Sequence, residues 1–293
     1  MTVIDEHRRF LVGLAYRMLG SIAEAEDVVQ DAYLRTRDVA ADETIENPRA
    51  YLARVVTNLC LDRLKSARAR REEYVGTWLP EPVVEDPAAP LAEDLSVALL
   101  MVLERLSPLE RAAFLLHDIF EMEYGDVAKT LERSEAACRQ LAARARDHVR
   151  EARPRFDPPD THTDQIVAAF ASAATTGNVD QLATLLAEDA VLYTDGGGKK
   201  RAALNPIYGR DKIARFFIGV RDKNPTPTSM QPARINGLPG FVFYIGDEPE
   251  TIAFEIHDGA ITQIYAVRNP DKLHHLGDGL QLRNLLPGTP EDH

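Results

Sequence analysis

Two proline-rich stretches forbid this chain from folding as one continuous body of secondary structure. VGTWLPEPVVEDPAAP, residues 75–90, holds four prolines, and RPRFDPPDT, residues 153–161, holds three. Proline lacks a backbone N–H and clashes inside a helix, so both stretches read as semi-rigid linkers. The 293 residues then divide into parts of ordinary domain size. We place them at 1–77, 91–154 and 162–276, with linkers at 78–90 and 155–161 and a tail at 277–293.

The first two parts are helical in pattern. Phe10, Leu11, Leu14, Ala15, Met18 and Leu19 recur on one helix face, and Gly20 ends the run. Ser21 with Glu24 forms a capping-box signature for a helix that turns Val28, Val29, Ala32 and Tyr33 inward. Glu24, Asp27 and Asp31 form an acidic stripe on its other face, a pattern shared by many solvated helices. A third helix begins near Pro48, a residue suited to a first turn, carries Tyr51, Leu52, Val55, Val56, Leu59 and Leu64 on one side, and runs into the basic cluster RLKSARARR. In the second part Ser107, Pro108 and Glu110 start a helix. EYGDVAKTL, a break at ERS and SEAACRQLAARARDHVREARPR then read as a helix-turn-helix.

Charge sharpens the reading. The chain carries a net charge of −12, yet Arg54–Arg71 holds six basic residues against one acid, and Arg133–Arg155 seven against three. Two basic faces on an acidic body imply nucleic-acid contact at two separate places, with another partner supplying most of the affinity.

Beyond the second linker, helices at 163–175 and 179–187 lead into the strand AVLYT, a helix around GRDKIARFF, and three β-type runs, GFVFYIG, ETIAFEIHDG and AITQIYAVRNP. HDGAI reads as a hairpin turn. The expectation is a compact α+β domain with an antiparallel sheet. Its TDGGGKKR run, residues 194–201, suggests a phosphate loop, but the glycines are consecutive, no Ser or Thr follows the lysine, and the next helix begins only near Gly209.

EAEDVVQDAYLR, NPRAYLARVVTNLCLDRLKSAR and YGDVAKTLERSEAACRQLAARAR together resemble regions 2 and 4 of the extracytoplasmic-function (ECF) sigma factors, over residues 5–153. Residues 162–270 are similar to a SnoaL-like domain, the cone-shaped α+β barrel of the NTF2-like fold. One group of these sigma factors carries such a domain and shares three motifs found here, WLPEP (Trp78, Leu79, Pro80, Glu81, Pro82), DGGGK (Asp195, Gly196, Gly197, Gly198, Lys199) and NPDKL (Asn269, Pro270, Asp271, Lys272, Leu273). The resemblance implies a multidomain fold: two all-α sigma domains, then the α+β domain.

It also implies jobs for residues. Asp27, Gln30 and Asp31 contact the clamp of core RNA polymerase. Asn47, Arg54, Asn58, Asp62, Arg63, Lys65 and Arg68 lie at the −10 element, Arg63, Lys65 and Arg68 on its backbone. Ser134, Glu135, Ala136, Arg139, Gln140 and Arg144 face the −35 element, with Arg146 and Arg150 holding phosphates. Glu132 stands where the turn usually has glycine, so that turn strains or takes another geometry. The implied partners are the clamp and flap of core polymerase and promoter DNA. In that group the added domain acts as a built-in regulator in place of a separate anti-sigma factor, through contacts of DGGGK and NPDKL with the sigma domains or the linker.

Other readings stay open. The SnoaL-like domain could sense a small molecule in its pocket, or retain isomerase or cyclase chemistry on Asp195, His257, Tyr193 or Tyr265. An ordinary helix-turn-helix repressor is a further alternative. We assign no catalytic residue, no cofactor and no metal: Cys60 and Cys138 lack ligand spacing and read as buried, and His274-His275 reads as a tail pair without companion ligands. No apolar run reaches membrane-spanning length, so we expect a cytoplasmic protein with no membrane partner, monomeric when free.

Overall fold

The structure is a computed structural model in which residues 3–36, 47–72, 74–85, 96–152, 163–223 and 227–277 are described. The linker at 155–161, residues 86–90 and nearly all of the tail lie outside them. The chain divides into a helical unit, drawn from Met1–Glu73 and Ala98–Pro154, and an α/β unit, drawn from Tyr74–Val97 and Arg155–Asn284.

The helical unit contains α1 (Val3–Leu19), α2 (Ile22–Thr36), α3 (Pro48–Glu72), α4 (Val97–Arg105, assigned here from Ala98), α5 (Pro108–Phe114), α6 (Tyr124–Leu131) and α7 (Glu135–Ala152). The expected apolar faces are buried: Leu11, Leu14 and Met18 of α1, Val28 and Val29 of α2, and Leu52, Val56 and Leu59 of α3. Cys60 and Cys138 are buried free thiols. The helices drawn from the parts expected at 1–77 and 91–154 fall in one compact unit by their contacts. Phe10 of α1 meets Phe120 edge-on at 4.9 Å, and the buried Arg111 of α5 donates to the Met18 carbonyl at 2.5 Å and to Glu104 at 3.2 Å. Burial lowers the Arg111 pKa to about 10, which leaves the guanidinium charged at neutral pH.

The long helix expected over RAAFLLHDIF is interrupted. α5 ends at Phe114 and Leu115–Ile119 winds as a π-turn. Glu132 closes α6 at φ +54°, ψ +47°, the left-handed conformation that favours glycine.

The α/β unit contains α8 (Thr163–Thr176), α9 (Val179–Leu185), β1 (Leu186–Asp195), β2 (Ile207–Tyr208), α10 (Arg210–Arg221), β3 (Ser229–Ile235), β4 (Leu238–Ile245), β5 (Glu248–His257), β6 (Ala260–Val267) and the short α11 (His274–Gly277). The sheet order is β2-β1-β6-β5-β4-β3. It is mixed rather than antiparallel, because β1 and β6 pair in parallel. Leu192, Phe254 and Ile264 share the helix-side core with Phe170 and Ile213. Between sheet and helices, Phe170 meets Phe217 and Phe254 edge-on, both at 5.0 Å, and Phe241 meets Phe254 at 6.4 Å. The HDGAI hairpin forms with Asp258 and Gly259 both at positive φ. β3 was not expected: SMQPARI lacks alternating hydrophobicity and contains Pro232, which suits an edge strand.

Candidate functional site

In the helical unit, Asn47 caps α3, its Oδ1 accepting from the Ala50 N–H at 3.0 Å. Arg54, Asn58, Asp62 and Lys65 follow at helical spacing along one side of α3. Arg54, Asp62 and Lys65 are exposed and Asn58 is half-buried, with Asp62 and Lys65 ion-paired at 2.8 Å. The Arg68 side chain lies outside the described residues. Arg63 points elsewhere. Its Nη2 donates to Asp31 at 3.0 Å, its Nη1 to the Glu24 carbonyl at 3.0 Å, and Asp27 lies 3.8 Å away. Gln30 is exposed beside them on α2.

On α7 the buried Cys138, Ala142 and Ala145 face inward. Ser134 caps the helix, accepting from the Ala137 N–H at 3.2 Å, while Glu135, Ala136, Arg139, Gln140, Arg144 and Arg150 are exposed. Arg139 pairs with Glu135 at 2.6 Å and lies over the Tyr124 ring. Arg144 reaches Glu110, the carboxylate of the α5 capping box, at 2.7 Å. The Arg139–Glu135 pair, with both side chains at least half exposed, is worth at most about 1 kcal/mol, whereas Glu110 is only 14% exposed. Arg146 is held differently, 3.3 Å from Asp118 and donating to the Tyr124 hydroxyl at 3.2 Å. Burial pushes the Asp118 carboxyl up despite this cation.

The α/β unit brings the three motifs together. Asp195 ends β1 with its side chain fully buried. Its Oδ1 accepts from the Tyr74 hydroxyl at 2.5 Å and the Gly197 N–H at 3.0 Å, its Oδ2 from the Leu79 N–H at 2.9 Å and Lys272 Nζ at 2.7 Å. Four donors saturate the carboxylate, which explains how a buried charge is tolerated. Gly197 and Gly198 both take positive φ, and a Cβ on Gly197 would meet the Asn269 amide at 2.3 Å. Asn269 in turn donates to the Tyr74 hydroxyl at 2.9 Å and caps the NPDKL turn through Asp271. Lys272 also donates to the Leu79 carbonyl and lies over the rings of Trp78 and Tyr74, at 4.4 and 5.0 Å. Burial, and next the Asp195 carboxylate, push the Tyr74 phenol far above its usual range, so it stays a donor.

Residues 78–82, expected as part of a linker, are therefore built into a domain. Prolines hold the strap 74–85 extended, and its few remaining polar groups find partners on the α/β unit. Asn236 accepts from the Val83 N–H and donates its own N–H to the Val83 carbonyl, at 3.1 and 2.9 Å, and Val84 bridges to Ile235 at the end of β3. His275, expected as a tail residue, sets Nε2 3.1 Å from the Pro82 carbonyl and Nδ1 3.2 Å from the buried Glu81 carboxylate.

TDGGGKKR is accounted for by these contacts. Lys199 pairs with Asp271 at 2.7 Å and Lys200 with Glu248, so both lysines are engaged within the unit. The catalytic alternative finds little footing. Asp195 has no free lone pair for a substrate proton. On the sheet face opposite the helices, the Tyr265 hydroxyl lies 3.0 Å from Glu255 Oε2 and 2.7 Å from Gln263 Oε1 and donates its single proton to one of them, His257 faces Glu255 at 2.9 Å, and Tyr193 stacks on Tyr265. Burial, then Glu255, keep the Tyr265 phenol protonated.

Sequence reasoning missed Tyr74 and the Arg63–Asp31 pair. A lone tyrosine before the proline run carries no periodic signal, and the ion pair joins residues 32 positions apart.

Among known families, Sigma-70 region 2 matches residues 3–70 and Sigma-70, region 4 matches residues 96–149. The chain is 40% identical over 300 residues to the ECF RNA polymerase sigma factor SigJ of Mycobacterium tuberculosis, covering 96% of this chain and 94% of that protein. It is 32% identical over 278 residues to the probable ECF RNA polymerase sigma factor SigI of the same species, covering 92% and 93%. A crystal structure of M. tuberculosis SigJ superposes with a TM-score of 0.75 at 35% sequence identity, covering 92% of this chain and 96% of that one. Among the described residues no helix is long and apolar enough to cross a membrane.

Proposed function

Because this chain belongs to the ECF RNA polymerase sigma factors, we propose that it directs core polymerase to promoters through α2, α3 and α7, and that its α/β unit regulates this in place of a separate anti-sigma factor. The acidic face of α2 docks on the polymerase clamp. The outward side of α3 meets the melted −10 strand, and the exposed Glu135, Arg139, Gln140 and Arg144 read the −35 element in the major groove.

One observation carries the regulatory half. Residues 74–85, which follow α3, are seated in the α/β unit through the Tyr74–Asp195–Lys272 network. Two promoter elements are read at once only if the helices that read them stand apart by the spacing of those elements. Within the helical unit they share one compact body, so reading both requires that body to open. A seated strap shortens the free chain available for that opening, and releasing it lengthens the reach.

The test is transcription by core polymerase on a promoter library, comparing the full chain with its Lys272→Met variant. We expect initiation that depends on the full chain and a changed transcript yield when Lys272 no longer ties Leu79 to Asp195. An unaltered yield from a variant with a disturbed strap ends the regulatory reading; no initiation from the unmodified chain ends the sigma reading.

A further inference from the structure

Arg63 lies in the basic run of α3 that invites assignment to promoter phosphates, yet its guanidinium is spent on α2. We propose that Arg63 is a positioning residue for polymerase docking, holding the α2 carboxylates in place, and is not a DNA contact. The inference rests on the sigma-factor reading and concerns how its docking face is built.

Asp27 and Asp31 stand four residues apart on one helix, where like charges repel. Left alone they would swing apart or attract solvent cations. Arg63 Nη2 takes Asp31 Oδ2 at 3.0 Å and Nη1 takes the Glu24 carbonyl at 3.0 Å, with Asp27 Oδ2 at 3.8 Å. The backbone acceptor fixes the fork against the first turn of α2, so the guanidinium is a wedge between the two carboxylates rather than a roaming charge. It also leaves them reachable: the Asp31 and Asp27 side chains remain 48% and 71% exposed, while Arg63 is 29% exposed. Asp31 keeps Oδ1 for an incoming basic group. The α3 side that carries Arg54, Asp62 and Lys65 is untouched by this arrangement.

The experiment measures core-polymerase affinity for the full-length chain and its Arg63→Ala, Arg63→Lys, Asp31→Ala and Arg63→Ala/Asp31→Ala variants, with thermal melts alongside. Assembled holoenzymes are then titrated onto a −10 fork-junction DNA across a salt series. We expect Arg63→Ala to weaken core binding by roughly three- to tenfold, Arg63→Lys to recover part of the loss, and the double variant to bind no more weakly than Asp31→Ala. The salt slope of fork binding stays unchanged. The proposal is overturned if Arg63→Ala leaves core affinity unaltered or tightens it, if the two substitutions simply add, or if the salt slope falls by about one, the mark of a lost phosphate contact. Failure of the unmodified chain to bind core polymerase defeats the sigma reading, and this inference with it. An unmodified chain that binds beside an indifferent Arg63→Ala defeats this inference alone.

Discussion

Asp31 and Asp195 both meet a cation within hydrogen-bond distance, at 3.0 Å for Arg63 and 2.7 Å for Lys272. Their surroundings differ. The first pair has side chains 48% and 29% exposed, the second 0% and 13%. Water screens the first pair, which can exchange its partner for another charged surface. The second is held in low dielectric by four donors, where removing any one leaves an uncompensated group. The α2 carboxylate thus stays open to exchange with solvent, whereas the α/β unit spends its charged motifs on internal cohesion.

The largest test of that contrast is Asp195→Ala. It strands the Tyr74 hydroxyl, the Leu79 N–H and Lys272, and is expected to cost the α/β unit about 3–5 kcal/mol. Asp31→Ala is expected to cost within about 1 kcal/mol. Denaturant unfolding, with proteolysis at 74–85 as a local probe, measures both, and equal losses would erase the distinction. The seat also has a pH signature. The folded-state value of Tyr74 is raised above the ordinary 10.0 of a phenol, so its contribution is complete below about pH 10 and is lost as pH climbs through the raised value. Tyr74→Phe should therefore flatten the alkaline limb of a stability-versus-pH curve.

Next in size is Gly197→Ala, expected to cost about 2–3 kcal/mol, because its φ of +59° and its contact with Asn269 both oppose a Cβ. Glu132→Gly should move the other way. It relieves a left-handed non-glycine residue in the helical unit and is expected to add about 1 kcal/mol by thermal unfolding. The smallest effect belongs to Glu135→Ala, which frees Arg139 from an exposed pair and should alter stability by less than about 0.5 kcal/mol. It should nevertheless alter −35 binding in a gel-shift titration with holoenzyme. A stability loss as large as that of Gly197→Ala would mean the recognition surface is also cemented.

Local signals carried the helical unit well. The apolar faces of α1–α3, the Ser107–Glu110 capping box and the turn at Glu132 are each set by residues within a few positions of one another. The same rule explains the Asp258-Gly259 hairpin, and it was available for β3 too: Asn236-Gly237 is a strong two-residue turn signal, with φ of +51° and +80°. The polar edge strand before it hid the hairpin. The strap was illegible for another reason. Prolines mark residues 75–90 as non-helical, but a non-helical segment can be free or fastened, and the fastening groups Asp195, Asn236, Lys272 and His275 lie far along the chain. Arg63 shows the limit from the opposite side. A basic run states how many charges a helix carries, not where each one points.

The distance along the chain from the strap to its seat has a consequence during synthesis. Lys272 follows Leu79 by 193 residues, so at about 5–20 residues per second the nascent strap waits roughly 10–40 seconds before that lysine is even added to the chain. For the last 120 residues of that interval every helix from α1 to α7 has already been made, and each new molecule passes through an unfastened youth before the α/β unit can take hold of it.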